Sequence, residues 1–397
     1  MASEYQIISK KSLKAVFDDY FKQNVEIANF KSTQLTSDGD NFCSELKRIS
    51  VSYSLQDEAK KRRFSLIAKY LPQNEYQAQF IEEMKFFYFE QKMYSQIIPK
   101  LNQLDYSLKF APELYYSSQK PIPMLLLEDL SRLNYKVVTG GNLDFNHSLL
   151  VIEKLAYLHA ASYALHEQNP TVFKGLNQFI LRKTDIMAKL LTTCYDEVLI
   201  ACNDIPELQK YVCKLKVARD HILNKVYNIH FMNSNLKVLN HGDCWRNNVL
   251  FHYSKEGEPV DAIFIDFQNP CFASPCLDLQ YFLATSVTLE VKSKYSVILD
   301  HYFNSLLKYL DKLHLNAMPK REEFYEDFRS TAHLGFASSI FLLPITKAGK
   351  MKGASVENFL ESREEGSYRH YCFSNEEYRK EMMYYLPFFD KFGIFDI

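Results

Sequence analysis

Net charge is the first thing this 397-residue chain lacks. Its 47 Lys and Arg nearly cancel 48 Asp and Glu, leaving −1, so there is no long-range field of the kind that gathers a protein on DNA or anionic lipid. Nucleic acid is therefore not an expected partner. Glycine is scarce at 11 residues, no internal repeat is visible and no low-complexity linker divides the chain, which excludes a solenoid or a loosely tethered pair of domains. No stretch approaches the roughly 18 apolar residues of a membrane span, and the opening "MASEYQIISKKSLKAVFDDYF" has no apolar signal core. Cytoplasmic localisation without membrane attachment is expected. The eight cysteines, Cys43, Cys194, Cys202, Cys213, Cys244, Cys271, Cys276 and Cys372, form no CxxC pair and no dense framework, which suits reduced thiols better than disulfides. What remains is 47% hydrophobic content, enough for a large core and for two lobes packed tightly together.

Strand-like patterning dominates from about residue 30 to 130. In "RISVSYS", Ile49, Val51 and Tyr53 alternate with Ser50, Ser52 and Ser54, and "FSLIAKYLP" is a short apolar run closed by Pro72. These predict neighbouring strands joined by "LQDEAKKRR", in which Lys60, Lys61, Arg62 and Arg63 mark a solvated connection rather than a polyanion patch. Apolar residues at helical spacing from Gln77 to Leu101, with no glycine, predict one long helix ending near Pro99. "PIPMLLLEDLSRLNY" predicts a buried strand running into a polar Glu128-Asp129 step. "SLLVIEKLAYLHAASYAL" predicts an apolar helix, with His159 a satisfied core histidine, and residues 170 to 235 and 280 to 397 are expected to be mainly helical.

The strand-containing interruption is "VLNHGDCWRNNVLFHYSKEGEPVDAIFIDFQNPC". Two apolar strands flank the turn-rich "SKEGEP", and pairing about Gly257 would place Asn248 opposite Asp266, with Asp243 on the entering loop. An amide oxygen and a carboxylate make a partial shell suited to Mg²⁺, which keeps waters and takes further oxygens from phosphate. The third group, Asp243, is then available to orient an acceptor hydroxyl and take its proton. A zinc reading of "HGDC" with Cys271 and Cys276 lacks paired spacing, and the Asp/Asn set is hard rather than soft. A Cys244 nucleophile lacks an orienting third group.

"HGDCWRNN" followed by "IDFQ" resembles the catalytic loop and metal-binding motif of the protein-kinase-like small-molecule phosphotransferases, which include choline kinases and aminoglycoside phosphotransferases. The chain is identified as a member of the ecdysteroid kinase-like family of insects through His241, Gly242, Asp243, Trp245, Asn248, Asp266, Phe267, Gln268, Ser274, Pro275, Asp278 and Leu279. "LIAKYLP", "FYFEQKMYSQIIP", "LLLEDL", "KLAYLHAAS" and the closing "YYLPFFDKFGIFD" follow in the family's order, so the resemblance covers roughly residues 30 to 397.

The resemblance implies an α+β bilobal fold. Residues 1–126 would form a β-rich N-lobe, 127–130 a hinge and 131–397 a larger helical C-lobe. It also assigns roles. In "SDGDNFCSEL", Gly39, Asp40, Asn41 and Ser44 would cover the ATP phosphates with backbone N–H groups and a hydroxyl. Lys69 would hold the α- and β-phosphates while Glu90, in preference to Glu82 or Glu83, fixes its ammonium. Leu127, Glu128 and Asp129 would offer main-chain groups to adenine, and His241 and Asp278 would support the catalytic loop. Asn248 and Asp266 would bind Mg²⁺ and Asp243 would be catalytic. The implied activity is transfer of phosphate from ATP to a hydroxyl of a small molecule, an ecdysteroid or a hydroxylated plant or xenobiotic compound. A choline or ethanolamine kinase-like enzyme and a catalytically silent ligand-binding protein are the alternatives.

Overall fold

The computed structural model describes residues 8–35, 44–56, 60–71, 75–105, 109–120, 123–177, 179–315, 318–349, 351 and 354–396. Helix α1 (Lys10–Phe21) begins in a capping box at Ser9, whose hydroxyl takes the Ser12 N–H. Strands β1 (Val25–Gln34), β2 (Glu45–Leu55), β3 (Arg62–Tyr70), β4 (Leu114–Ser118) and β5 (Met124–Glu128) form an antiparallel sheet in the order β1-β2-β3-β5-β4. The expected pairing of "RISVSYS" with "FSLIAKYLP" is present, with Ile49 opposite Leu66 and Val51 opposite Phe64.

Alternation along these strands gives the sheet two apolar faces. Leu66 and Ala68 of β3 and Met124 and Leu126 of β5 pack with Leu13 and Phe17 of α1 in one buried cluster. Leu125 and Leu127 turn the other way, into a cluster shared with the C-terminal part. Lys69 lies between Ala68 and Tyr70, so it emerges on this second face, where α1 does not cover it.

The segment after β3 departs from the single long helix expected. It consists of α2 (Glu75–Met84), α3 (Phe86–Lys92), a π-helical stretch (Met93–Ile97) and α4 (Ile98–Leu104). Lys85 stands at φ 54°, in the left-handed region, and the Met84 carbonyl it would leave orphaned accepts Arg182 Nη2 at 2.7 Å. Pro99 lies in the first turn of α4 instead of ending the helix. It has no N–H for the carbonyl of Ser95 four residues back, and the wider π turn precedes it.

The C-terminal part is mainly helical, with α5 (Phe145–Gln168), α6 (Asp185–Asp204) and α7 (Val212–Tyr227) before the loop region. Helices α8 (Cys276–Thr285), α9 (Leu289–Ser293), α10 (Tyr295–Lys312), α11 (Arg321–Ser330), α12 (Ala332–Ala348), α13 (Val356–Glu361), α14 (Tyr368–Ser374) and α15 (Glu376–Asp390) follow it. Short strands β6 (Lys136–Val137), β8 (Val249–Tyr253) and β9 (Pro259–Phe264) form one sheet, and β7 (Val238–Asn240) pairs with β10 (Cys271–Ala273). Phe87, Phe89, Met93 and Tyr94 share a core with Leu155, Leu158, Val249, Phe264 and Phe267. The broken helix thus packs on the C-terminal helical part. Among the described residues no helix is long and apolar enough to cross a membrane.

The β8–β9 register corrects the expected pairing by one residue. Val249 faces Phe264 and Leu250 faces Ile263, and an irregularity between His252 and Tyr253 brings Pro259 opposite Tyr253. Continuing the ladder, Ile265 N–H donates to Asn248 O at 3.0 Å. Asn248 therefore faces Ile265, and Asp266 lies one residue beyond.

Candidate active site

Lys69 enters the site from β3 and Glu90 from α3. The ammonium bonds Glu90 at 2.9 Å to Oε1 and 2.7 Å to Oε2, and it also bonds Asp266 Oδ1. Glu82 and Glu83 are exposed on α2, so Glu90 is the acid that reaches the lysine. Burial disfavours the charge on Lys69, but Asp266 and Glu90 outweigh it and raise the ammonium's pKa above its ordinary value. Glu90 is itself pushed up to about 7, by burial first and by Asp266, against the pull of Lys69. The Lys69–Asp266 contact was not anticipated from the spacing, because the two are 197 residues apart.

The loop expected to be catalytic leaves β7 at Asn240, whose amide donates to Cys271 O at 3.2 Å and ties the loop's base to β10. Gly242 stands at φ 78°, and a Cβ there would lie 1.7 Å from Asn269 O. Only glycine fits. Asp278, near the start of α8, accepts His241 N–H at 2.7 Å and Gly242 N–H at 2.9 Å. Its Oδ2 also meets His159 Nε2 at 3.2 Å, and His159 Nδ1 meets Tyr302 OH at 2.8 Å. His159 is thus a satisfied core histidine, and what it satisfies is the support of this loop. His241 donates Nε2–H to Ile265 O at 3.0 Å and accepts the Asp243 N–H on Nδ1 at 3.3 Å, which fits a neutral ring. Burial is the main cause that lowers its pKa.

Asp243 is buried, and both of its oxygens are held. Tyr281 donates to Oδ1 at 2.7 Å, while Asn248 Nδ2 and Gln268 Nε2 donate to Oδ2 at 3.2 and 3.3 Å. Burial and then the charge of Asp266 push this carboxyl up to about 7, and the three hydrogen bonds only partly offset them. A carboxylate in that position is a competent proton acceptor near neutral pH. Tyr281 was not singled out in the sequence. The available signal was its spacing, three residues after Asp278 and so on the same side of α8.

Asp266 adopts φ 68°, a left-handed conformation uncommon for a residue with a side chain. That turn, and not a cross-strand position, directs its carboxylate to Lys69. Asn248 ends a short 3₁₀ turn, and its amide nitrogen donates to Asp243 O at 3.0 Å as well as to Oδ2. The amide's Oδ1 is its remaining acceptor. Among the described residues no three His, Cys, Asp or Glu side chains gather as a complete metal cage. Asp266 and Asn248 Oδ1 are hard oxygen donors and fit a cation that completes its shell with water and phosphate. Zinc is not served: both nitrogens of His241 are engaged, and burial raises the thiols of Cys244, Cys271 and Cys276. The same burial keeps Cys244 a protonated, poor nucleophile.

Of the expected nucleotide contacts, Gly39, Asp40 and Asn41 lie outside the described residues. Ser44 is buried beside the start of β2, whose Leu46 faces Lys69. At the expected hinge, Leu127 faces Ile67 within the sheet, and the Glu128 N–H donates to Glu113 O at 2.9 Å. The Glu128 N–H is therefore engaged within the sheet. The Asp129 side chain is a brace, accepting Arg48 Nε at 2.8 Å, Ser65 Oγ at 2.5 Å and Ser131 Oγ at 2.6 Å.

The Ecdysteroid kinase-like family matches residues 38–315. No curated protein matches the chain. Among solved structures, an ethanolamine kinase of Plasmodium vivax is 14% identical, with a TM-score of 0.42 over 91% of this chain and 83% of that one. APH(2")-IIia, solved as a GDP and kanamycin complex, is 12% identical, with a TM-score of 0.38 over 98% of this chain and 100% of that one. A glucosamine kinase in complex with glucosamine, ADP and inorganic phosphate is 12% identical, with a TM-score of 0.34 over 86% of this chain and 84% of that one. The chain belongs to the ecdysteroid kinase-like family.

Proposed function

We propose that this protein moves the γ-phosphoryl group of MgATP to a hydroxyl of a small organic molecule, an ecdysteroid or a hydroxylated plant or xenobiotic compound. In this reading residues 1–126 are the N-lobe, 127–130 the hinge and 131–397 the C-lobe. The observation that carries it is the conjunction of a buried Asp243, held by Asn248, with a Lys69 ammonium shared between Glu90 and Asp266. Lys69 receives the ATP phosphates, with Glu90 limiting its motion. Asp266 and Asn248 Oδ1 would hold Mg²⁺, which when bound neutralises charge on the phosphates. Asp243 accepts the proton of the acceptor hydroxyl as its oxygen bonds the γ-phosphorus, and the bond from that phosphorus to the β,γ-bridging oxygen breaks to release ADP. Rate enhancement then comes from positioning and charge complementarity, and no covalent enzyme intermediate is involved.

Family membership supports the acceptor class. The test is ATP consumption with Mg²⁺ against a panel of ecdysteroids, choline and plant phenolics, with Asp243→Asn as control. Turnover with an ecdysteroid or phenolic supports the proposal, turnover with choline alone favours the choline kinase-like alternative, and turnover with none of them contradicts it.

A further inference from the structure

We propose that Tyr281 is a positioning residue for phosphate transfer, fixing the carboxylate plane of Asp243 from α8; this rests on the phosphotransferase reading above. The argument begins with the softness of the aspartate side chain. Rotation about its Cβ–Cγ bond is broad and roughly two-fold, so a carboxylate held at one oxygen can still swing. Asn248 and Gln268 both donate to Oδ2, at 3.2 and 3.3 Å, and together they restrain one edge. Tyr281 alone among these donors reaches Oδ1, and at 2.7 Å its bond is the shortest of the three. Its removal would leave the edge nearest Tyr281 free to turn.

The tyrosine is also well placed to act as a fixed reference. It is almost fully buried, and it lies three residues after Asp278 on α8. The helix therefore holds the loop twice on one side, its backbone through Asp278 to His241 and Gly242, and its reacting side chain through Tyr281 to Asp243. The start of α8 is itself secured, since Ser274 Oγ accepts the Cys276 N–H at 3.3 Å. A site on a braced helix keeps tighter geometry than one built from loop contacts alone.

Packing does not account for the hydroxyl. Other buried tyrosines use theirs structurally: Tyr157 and Tyr195 donate to main-chain carbonyls, Asp105 O at 3.0 Å and Leu215 O at 2.8 Å, Tyr302 meets the core histidine His159, and Tyr309 donates to Glu153 at 3.1 Å. Tyr281 directs its hydroxyl to the one carboxylate that the reaction requires to hold a set orientation. The phenol donates a hydrogen bond and need not exchange its proton.

The experiment compares the full chain as wild type, Tyr281→Phe, Asp243→Asn and the double variant. Tyr281→Phe is expected to lower kcat by roughly 10- to 100-fold while KM for MgATP changes less than about twofold, because geometry is lost without loss of binding. In the Asp243→Asn background the same change is expected to add less than about twofold, since Tyr281 acts through that carboxylate. Unchanged kcat, or a loss of equal size in both backgrounds, overturns the proposal. Crystal structures of wild type and Tyr281→Phe give a readout independent of turnover, with rotation or disorder of the Asp243 carboxylate expected in the variant. An unmoved carboxylate overturns the positioning role even if the wild type proves inactive on every acceptor tried, an outcome that would separately overturn the phosphotransferase reading.

Discussion

Lys69 and Asp266 form a direct ion pair, although they lie 197 residues apart and Glu90 already bonds the same ammonium at 2.7 Å. The lysine therefore holds two carboxylates, one of which would be required by the metal. Removing the charge at Asp266 frees the ammonium and takes away a repulsive group.

Asp266→Asn should accordingly separate metal from phosphate. ATP binding in metal-free buffer is expected to tighten by roughly threefold to tenfold, from relief of repulsion and release of Lys69. The gain in affinity on adding Mg²⁺ should shrink, and turnover should fall by on the order of 10²-fold or more. Titration calorimetry with and without Mg²⁺ checks this, and an unaltered Mg²⁺ dependence would refute the assignment of Asp266.

The loop that carries His241, Gly242 and Asp243 should also be a stability element. Asp278→Ala leaves the N–H groups of His241 and Gly242 buried without their acceptor and removes one of the two partners of His159. At roughly 1–3 kcal/mol per orphaned group, a loss of about 2–5 kcal/mol is expected in denaturant unfolding. Gly242→Ala should be comparably damaging, because its new Cβ would need space already filled by Asn269 O.

Stability should fall as pH rises through the weakly acidic range. Asp243 and Glu90 are held at about 7 in the fold, against ordinary values of 3.8 and 4.5. Between those limits the folded chain binds more protons than the unfolded one, so the slope of unfolding free energy with pH is negative. Asp243→Asn removes one of the two groups, and in metal-free buffer the decline in Tm from pH 5 to pH 8 should become smaller by on the order of a few degrees. An unchanged decline would show that Asp243 ionises in the fold at its ordinary pH.

Much of this organisation was legible in the chain because it is local. Alternation placed Ile49, Val51 and Tyr53 on a strand, and the turn around Gly257 announced the hairpin. The break at Lys85 was not legible, since it depends on Arg182, 98 residues away, capping the Met84 carbonyl. The hairpin register was misread by one residue because an irregularity at His252 and Tyr253 shifts the ladder. Asp266 reaches the site through a positive φ, which a strand pattern does not reveal. Tyr281 was missed because only the folded loop brings it to Asp243, 38 residues earlier.

The central claim is that Asp243 takes a proton from a hydroxyl while phosphate moves to it. The most direct measurement is mass-spectrometric detection of phosphorylated product from an ecdysteroid, Mg²⁺ and ATP, with wild type and Asp243→Asn run in parallel. The account predicts a product heavier by one phosphoryl group from wild type, with its rate of formation lower by about 10²-fold or more in a variant that remains folded. Equal rates from the two proteins would contradict it.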